Sequence, residues 1–253
     1  MPSPRNTSLR PVPGRKSSAS GRSVSTRLSL LGGFTLETRS GALPLPPHTQ
    51  KLVAFLALQD RPLHRAYVAG RLWIDYDQDH AHRCLRTTLW RIRLLSVRVV
   101  EATSTHLAID PSVAADVREL ETRADHILNG DPLPRRGDLR RLAQCRELLP
   151  DWYDDWIPHE RERFRQLRLL ALEVAGTALI AAERYTEASI AALAAIGADP
   201  LRESAYRLLI ESYLGVGNVA EAVRQFDVFR TQLRKELGLE PSPQIQKLLA
   251  GIH

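Results

Sequence analysis

Small and apolar residues recur at a 34-residue spacing in the second half of the chain. Tyr206, Leu209, Tyr213, Ala222 and Phe226 follow positions 172, 175, 179, 188 and 192, which hold Leu, Ala, Leu, Ala and Ala. This period is typical of the tetratricopeptide repeat, a pair of antiparallel helices. Small residues let the helices approach closely, and larger ones fill the space between them. This half is therefore predicted to be a stack of paired helices, with a generic helical bundle as the alternative.

The rest of the second half is also predicted to be helical. Helices are expected near 116–128, 138–148, 155–183, 186–198, 201–215, 219–236 and 242–252. Pro200 lies where a tetratricopeptide unit ends, and Arg184 and Gly217 lie in the short turns between paired helices. Two clear repeats are fewer than the usual three, so flanking helices are expected to cap the stack.

The first half has a different pattern of short strands and helices. Alternating apolar residues near two glycine turns predict small antiparallel strands at 28–30, 34–36 and 43–45. Apolar positions at helical spacing predict three helices at 48–59, 64–73 and 80–95. A hairpin is expected from 97–101 and 106–110. This order predicts a winged helix of the response-regulator type, whose second and third helices form a helix-turn-helix.

The predicted fold class is therefore mostly α with a small β part, divided into three segments. Residues 1–25 are rich in Pro, Ser, Gly and Arg and are predicted to be a disordered basic tail. Residues 26–112 are predicted to form the winged helix, and residues 113–253 the tetratricopeptide-like domain.

Charge is distributed unevenly along the chain. Residues 1–27 carry +6 and residues 28–112 carry +3, whereas the remainder carries −3. The positive charge of the first part of the chain indicates binding to a polyanion such as nucleic acid, and the acidic second part indicates a protein partner. The alternative is that the charges serve solubility alone.

The helix predicted at 80–95 has two distinct faces. Leu85, Leu89 and Ile92 form a core face, with Thr88 and Leu95 beside it. The opposite face carries arginines, a threonine and a tryptophan, and no acid: Arg83, Arg86, Thr87, Trp90, Arg91 and Arg93. Arginine can bond guanine O6 and N7 in the major groove, and threonine can contact a base or the thymine methyl. We interpret this face as a DNA-recognition surface, with a solvated charged face as the alternative; Trp90 either stacks on a sugar or, preferably, packs on the neighbouring domain.

Further contacts to phosphate or to the minor groove are predicted from position alone. Helix starts and the hairpin contribute Thr49, Lys51, Arg65, His82, Arg98, Thr103, Ser104, Thr105 and His106.

Catalytic, metal and membrane functions find little support. The sequence has no phosphate-binding G-x-x-x-x-G-K-[S/T] loop, no G-x-G-x-x-G and no H-E-x-x-H. The aspartates at 151, 154 and 155 are interpreted as caps of a helix start rather than as a catalytic pair. No apolar run approaches the roughly 18 residues that a membrane span needs. Cys84 and Cys145 form no motif and fit a reducing cytoplasm. We therefore expect no enzyme activity, cofactor, metal or membrane partner.

Ordered motifs from residue 28 onward resemble the Streptomyces antibiotic regulatory protein family. They are the segments 30–34 (LLGGF), 44–47 (PLPP), 72–73 (LW), 83–93, 116–121 (DVRELE), 149–156 (LPDWYDDW), 160–163 (ERER), 198–203 (ADPLRE) and 236–243 (ELGLEPSP). The sequence departs from the family pattern in the short link between the third helix and the hairpin, and in Thr105-His106-Leu107, where Gly-Tyr-Leu is usual. It also has Trp90 where a small polar residue is common.

The resemblance implies a winged helix joined to a bacterial transcriptional activation domain. It implies binding to direct repeats in a promoter, recruitment of RNA polymerase holoenzyme and control of a secondary-metabolite cluster. Double-stranded DNA, the polymerase and a second copy on DNA are the implied partners, in the cytoplasm at the nucleoid. A tetratricopeptide adaptor whose front domain binds protein, or a repressor using the same DNA contact, stays open at this point.

Overall fold

The computed structural model describes residues 26–130 and 135–250, so the tail predicted at 1–25 lies outside the described residues. The described strands are β1 (Thr26–Ser29), β2 (Thr35–Thr38), β3 (Gly41–Ala42), β4 (Leu63–His64), β5 (Val100–Ala102), β6 (His106–Ile109) and β7 (Val113–Ala115). The described helices are α1 (Pro47–Ala57), α2 (Arg65–Leu72), α3 (Gln78–Arg93), α4 (Asp116–Leu128), α5 (Arg136–Ala143), α6 (Ile157–Ala181), α7 (Tyr185–Ala198), α8 (Glu203–Gly215), α9 (Val219–Leu237) and α10 (Pro243–Lys247). The predicted fold class, a small β part followed by an all-α part, is confirmed.

The front half contains two small sheets beside its three helices. One has the order β3-β2-β1-β7, and the other has the order β4-β6-β5 and forms the wing. β7 pairs with β1 in parallel, with Leu28 opposite Ala115. The boundary predicted between residues 112 and 113 therefore separates two strands of one sheet.

Helix α3 owes its position to a cap and an apolar stripe. Asp77 Oδ1 accepts a hydrogen bond from the His80 backbone N–H at 2.8 Å, which caps the first turn. Leu85, Leu89 and Ile92 are buried as predicted, and the helix packs on α1 and α2. Burial of one stripe fixes the rotation of the helix, so its other side faces solvent.

Helices α6 to α9 pack in sequence as two antiparallel pairs. α6 packs on α7, α7 on α8 and α8 on α9, while α6 also contacts α8, the first helix of the next pair. Most of the residues that recur at the 34-residue spacing are buried, and Tyr213 and Phe226 are half-buried. This is the packing that the repeat predicted.

The turn inside each helix pair repeats the same backbone geometry. Glu183 and Gly217 are 34 residues apart, and both have positive φ angles, of 57° and 76°. The next backbone N–H in each turn donates five residues back, from Arg184 to the Leu179 carbonyl at 2.9 Å and from Asn218 to the Tyr213 carbonyl at 2.8 Å. This is the Schellman helix ending. The repeat therefore extends from side chains to backbone, although only the second turn has the glycine that the conformation favours.

Exchanging residue types at these two turns should change stability in opposite directions. A Cβ in the left-handed region costs about 1–2 kcal/mol. We expect Glu183→Gly to raise the free energy of unfolding by roughly 0.5–1 kcal/mol after the entropic cost of glycine, and Gly217→Ala to lower it by about 1 kcal/mol. Urea unfolding followed by circular dichroism measures both, and Glu183→Ala, which keeps the Cβ, should give no gain. A stabilising Glu183→Ala would show that the side chain, not the turn, is responsible.

Backbone hydrogen bonds join the two halves of the chain. The Leu149 N–H donates to the Leu30 carbonyl at 2.9 Å, and the Gly32 N–H donates to the Glu147 carbonyl at 2.7 Å. Asp116 accepts from the N–H groups of Leu30 and Leu31 at 2.9–3.0 Å. Because residues 147–149 pair with the front sheet, the helix predicted at 138–148 ends at Ala143 instead. We call this contact between residues 30–32 and 147–149 the junction.

An aromatic cluster packs beside the junction. Trp152 stacks on Phe34 with ring centroids 6.0 Å apart, and Trp156 meets Phe55 edge-on at 5.2 Å. Asp154 forms an ion pair with Lys51 of α1. The prediction that Asp151, Asp154 and Asp155 cap the helix is therefore wrong: the N-cap of α6 is Trp156, and no side chain caps it.

Candidate DNA-binding surface

The outward side of α3 carries the residues predicted for DNA recognition. Arg83, Arg86, Thr87, Arg91 and Arg93 are all exposed. None of the four guanidinium groups forms an ion pair or side-chain hydrogen bond with a described residue. Arginines of the helical half are often neutralised instead, as in the pairs Arg165–Glu162, Arg184–Glu187 and Arg202–Glu173. The α3 arginines are thus free to meet an external anion.

Trp90 lies on the same exposed side. It is 59 % exposed, so it does not pack on the helical half, and the preferred interpretation from the sequence is wrong. The Trp90 ring therefore provides an apolar contact area in the middle of the arginine-bearing face, and Arg86 and Arg93 on the same face provide positive charge.

The N-terminal end of α3 has the opposite charge. Asp75, Asp77 and Asp79 are exposed there, and Tyr76 stacks on the His80 ring at 4.4 Å. His82 is half-buried in the following turn. Since carboxylates repel phosphates, the part of α3 suited to DNA begins at Arg83 and extends to Arg93.

The wing turn is organised by its own side chains. Thr103 Oγ1 accepts from the His106 N–H at 2.9 Å and from the Thr105 N–H at 3.3 Å. Thr105 Oγ1 lies 2.9 Å from His106 Nδ1. Ser104 is exposed at the tip. The predicted wing residues therefore lie together on one exposed turn.

His64 is a wing residue that the sequence analysis missed. β4 pairs with β6, which places His64 opposite His106, and the two exposed rings meet edge-on with centroids 5.5 Å apart. The extended segment 61–63 before α2 was the available signal, because a strand there can pair with the hairpin.

Several predicted phosphate contacts need correction. Thr49 is 1 % exposed and its hydroxyl points inward, so it cannot contact phosphate. Lys51 is neutralised by Asp154 from the helical half. Arg98 pairs with Asp110 at 2.9 Å and with Glu101 at 3.5 Å, so its charge is also offset. Arg65 is half-buried at the start of α2, where its backbone N–H donates to the Thr105 carbonyl at 2.9 Å, and its contact with phosphate stays a prediction.

The described residues offer no alternative site for metal chemistry. They contain no group of three or more His, Cys, Asp or Glu side chains that could hold a metal ion. No helix in the described ranges is both long and apolar enough to cross a membrane.

These features define a winged helix whose third helix has an exposed arginine face, joined to a stack of paired helices. Residues 140–253 match the family model described as the bacterial transcriptional activator domain. Over these residues the match bears out the resemblance to the Streptomyces antibiotic regulatory proteins. No curated protein shows significant sequence similarity to the chain.

A solved structure has the same fold over most of the chain. Mycobacterium tuberculosis EmbR, in complex with a low affinity phosphopeptide, is similar over 88 % of this chain with a TM-score of 0.63 and 20 % sequence identity. The chain spans 64 % of the EmbR chain's length. At this identity the likeness shows a shared architecture.

Proposed function

We propose that the protein is a transcriptional activator that binds double-stranded DNA through α3 and acts on transcription through its helical half. The observation that carries the proposal is the exposed, unpaired arginine face from Arg83 to Arg93, on a helix whose other side is buried. The major groove of B-DNA admits one α-helix, and arginine is the commonest partner of guanine there. The wing residues Thr103 to His106 then supply contacts beside the groove.

The remaining parts of the proposal follow from the family of the helical half. One copy binds each of two direct repeats in a promoter, and the helical half recruits RNA polymerase holoenzyme by raising its local concentration. A pair of copies on neighbouring repeats forms the bound unit. The regulated genes are proposed to include a secondary-metabolite cluster.

Selection of bound DNA, followed by binding at increasing salt, tests the DNA-binding part. DNA fragments retained by the full chain at low salt are sequenced, and fluorescence anisotropy then gives the affinity for the selected site. If each copy neutralises about five phosphates, a plot of log K against log salt should have a slope of about −4.5. A chain that retains no duplex at low salt, or a slope near zero, would overturn the proposal.

The two rival functions make different predictions in the same system. An adaptor that binds protein through its front half would retain no DNA. A repressor would retain DNA but lower the transcript yield when purified polymerase is added to the selected promoter, whereas an activator raises it. Transcription in vitro with and without the protein therefore determines whether it activates or represses the promoter.

A further inference from the structure

A cleft of about 520 Å³ lies at the junction, away from the DNA-binding surface. Its walls are Leu31 of the front half, residues 145–148, the first half of α6 and the end of α7 at Gly197 and Ala198. The cleft thus touches both halves of the chain.

Arginine dominates the polar lining of this cleft. Four arginines and two glutamates line it: Arg146, Arg161, Arg165, Arg168, Glu147 and Glu162. Arg161 pairs with Glu147 at 3.3 Å, and Arg165 pairs with Glu162 at 2.8 Å. Asp199 also contacts Arg165, at 3.1 Å. Arg146 and Arg168 are left without a carboxylate partner among the described residues.

Arg168 is a cation held partly out of water, and no carboxylate in the described part of the chain pairs with it. Its Nε and Nη2 donate to the Leu142 and Ala143 carbonyls, both at 2.8 Å, which leaves Nη1 unused. Burial lowers the pKa of Arg168, whereas hydrogen bonds donated to carboxylates raise the pKa of Arg165 and Arg202. An uncompensated charge is unfavourable in such a site, and an anion would remove the penalty.

Arg146 is positioned across the cleft's edge by a glycine. Gly32 has a φ of 89°, and a Cβ built on it would lie 2.6 Å from Cδ of Arg146. The absence of a side chain at Gly32 lets the stem of Arg146 lie over the junction. The exposed guanidinium of Arg146 therefore remains near the cleft that Arg168 lines from within.

We propose that this cleft binds a small molecule that carries a phosphate-like oxyanion, held by the guanidinium groups of Arg146 and Arg168. Such groups form short, charge-assisted hydrogen bonds to phosphate oxygens. Because residues 147 and 148 line the cleft and also pair with the front sheet, a bound ligand strengthens the contact between the two halves. The proposal is independent of DNA binding.

Cys145 provides a reporter inside the same cleft. Its thiol donates to the Arg146 carbonyl at 3.3 Å, and burial raises the pKa of the thiol. The second cysteine, Cys84, lies on α3 and is half-buried like Cys145. An occupied cleft should therefore slow alkylation of Cys145 and leave Cys84 unchanged.

Iodoacetamide labelling of the full chain, with pyrophosphate as the probe, tests the proposal. Mass spectrometry follows both cysteines while pyrophosphate is titrated against sodium chloride of equal ionic strength. We expect saturable protection of Cys145 alone, with the midpoint raised at least about tenfold in Arg146→Gln. Arg168→Gln should raise it too, but it also removes two bonds to the end of α5, so the exposed Arg146 is the cleaner position. Arg61→Gln, an exposed arginine outside the cleft, should behave as the wild type.

We expect pyrophosphate to protect Cys145 equally well in the Arg83→Ala/Arg86→Ala variant. This result would show that the cleft is separate from the DNA-binding surface. No protection at about 10 mM pyrophosphate, a concentration that would occupy a site of millimolar affinity, overturns the proposal. Equal protection of Cys84 and Cys145, or an unchanged midpoint in Arg146→Gln, overturns it as well.

Discussion

Replacing Arg83 and Arg86 together by alanine should strongly weaken specific binding of the full chain to its selected DNA site. Both side chains are exposed on α3 and have no ion pair with a described residue, so their removal leaves the fold intact. A bidentate arginine–guanine contact contributes about 1–3 kcal/mol. Loss of two such contacts predicts an affinity lower by roughly 30-fold to 10⁴-fold, measured by fluorescence anisotropy at fixed salt.

The matched control removes two exposed arginines from the helical half. Arg224 and Arg230 lie on α9, and each pairs with an acid on its own helix. Arg224→Ala/Arg230→Ala changes net charge by the same amount and should change DNA affinity by less than about threefold, because surface charge outside the contact acts only through the screened field. Equal losses in the two double variants would mean that overall charge, and not the α3 face, determines binding.

Replacing Trp156 by alanine should cause the largest loss of stability that a single substitution outside the repeats produces. Trp156 is 4 % exposed and packs against Phe55 of α1 and Trp152. Truncating a buried tryptophan costs about 3–5 kcal/mol. Urea unfolding followed by circular dichroism should show this loss. The front half should unfold with the helical half, because the side chain belongs to the cluster that joins them.

Two further substitutions serve as controls for the expected loss of stability in Trp156→Ala. Tyr153 is 89 % exposed, so Tyr153→Ala should change the free energy of unfolding by no more than about 0.5 kcal/mol. Trp156→Phe should cost less than the alanine variant, because the indole N–H is buried without a partner and phenylalanine removes it. If Trp156→Ala cost less than about 1 kcal/mol, the aromatic cluster would not be what holds the halves together.

Local periodicity predicted the position and buried face of α3 well, but it predicted the contacts of the neighbouring residues less well. The spacing of Leu85, Leu89 and Ile92 sets which side of α3 is buried, so the exposure of Arg83 and Arg86 followed from the sequence alone. The same reasoning could not place Lys51, because its partner Asp154 is distant in the chain and belongs to the other half. Pairings of this kind depend on the tertiary structure, which no local pattern encodes.

Backbone pairing was the other feature that side-chain patterns did not predict. β7 has only three residues, Val113 to Ala115, and it joins the first sheet beside β1. No turn residues connect this segment to β1, so the sequence does not indicate that the two strands pair. Arg184 lies in the turn as predicted, but the left-handed backbone of the preceding residue, Glu183, was not predicted, because Glu rarely adopts this conformation. In both cases contacts elsewhere override the local preference.

The junction also has a geometric consequence for the proposed activator. Since the backbone of residues 30–32 is hydrogen-bonded to residues 147–149, the helical half cannot swivel freely once α3 is seated in a groove. The side of the duplex on which the helical half lies is then set by the position of the bound site. B-DNA turns once in about 10.5 base pairs. Inserting about 5 base pairs between that site and the promoter would therefore place the helical half on the opposite side of the duplex. Inserting a full turn would return it to the original side.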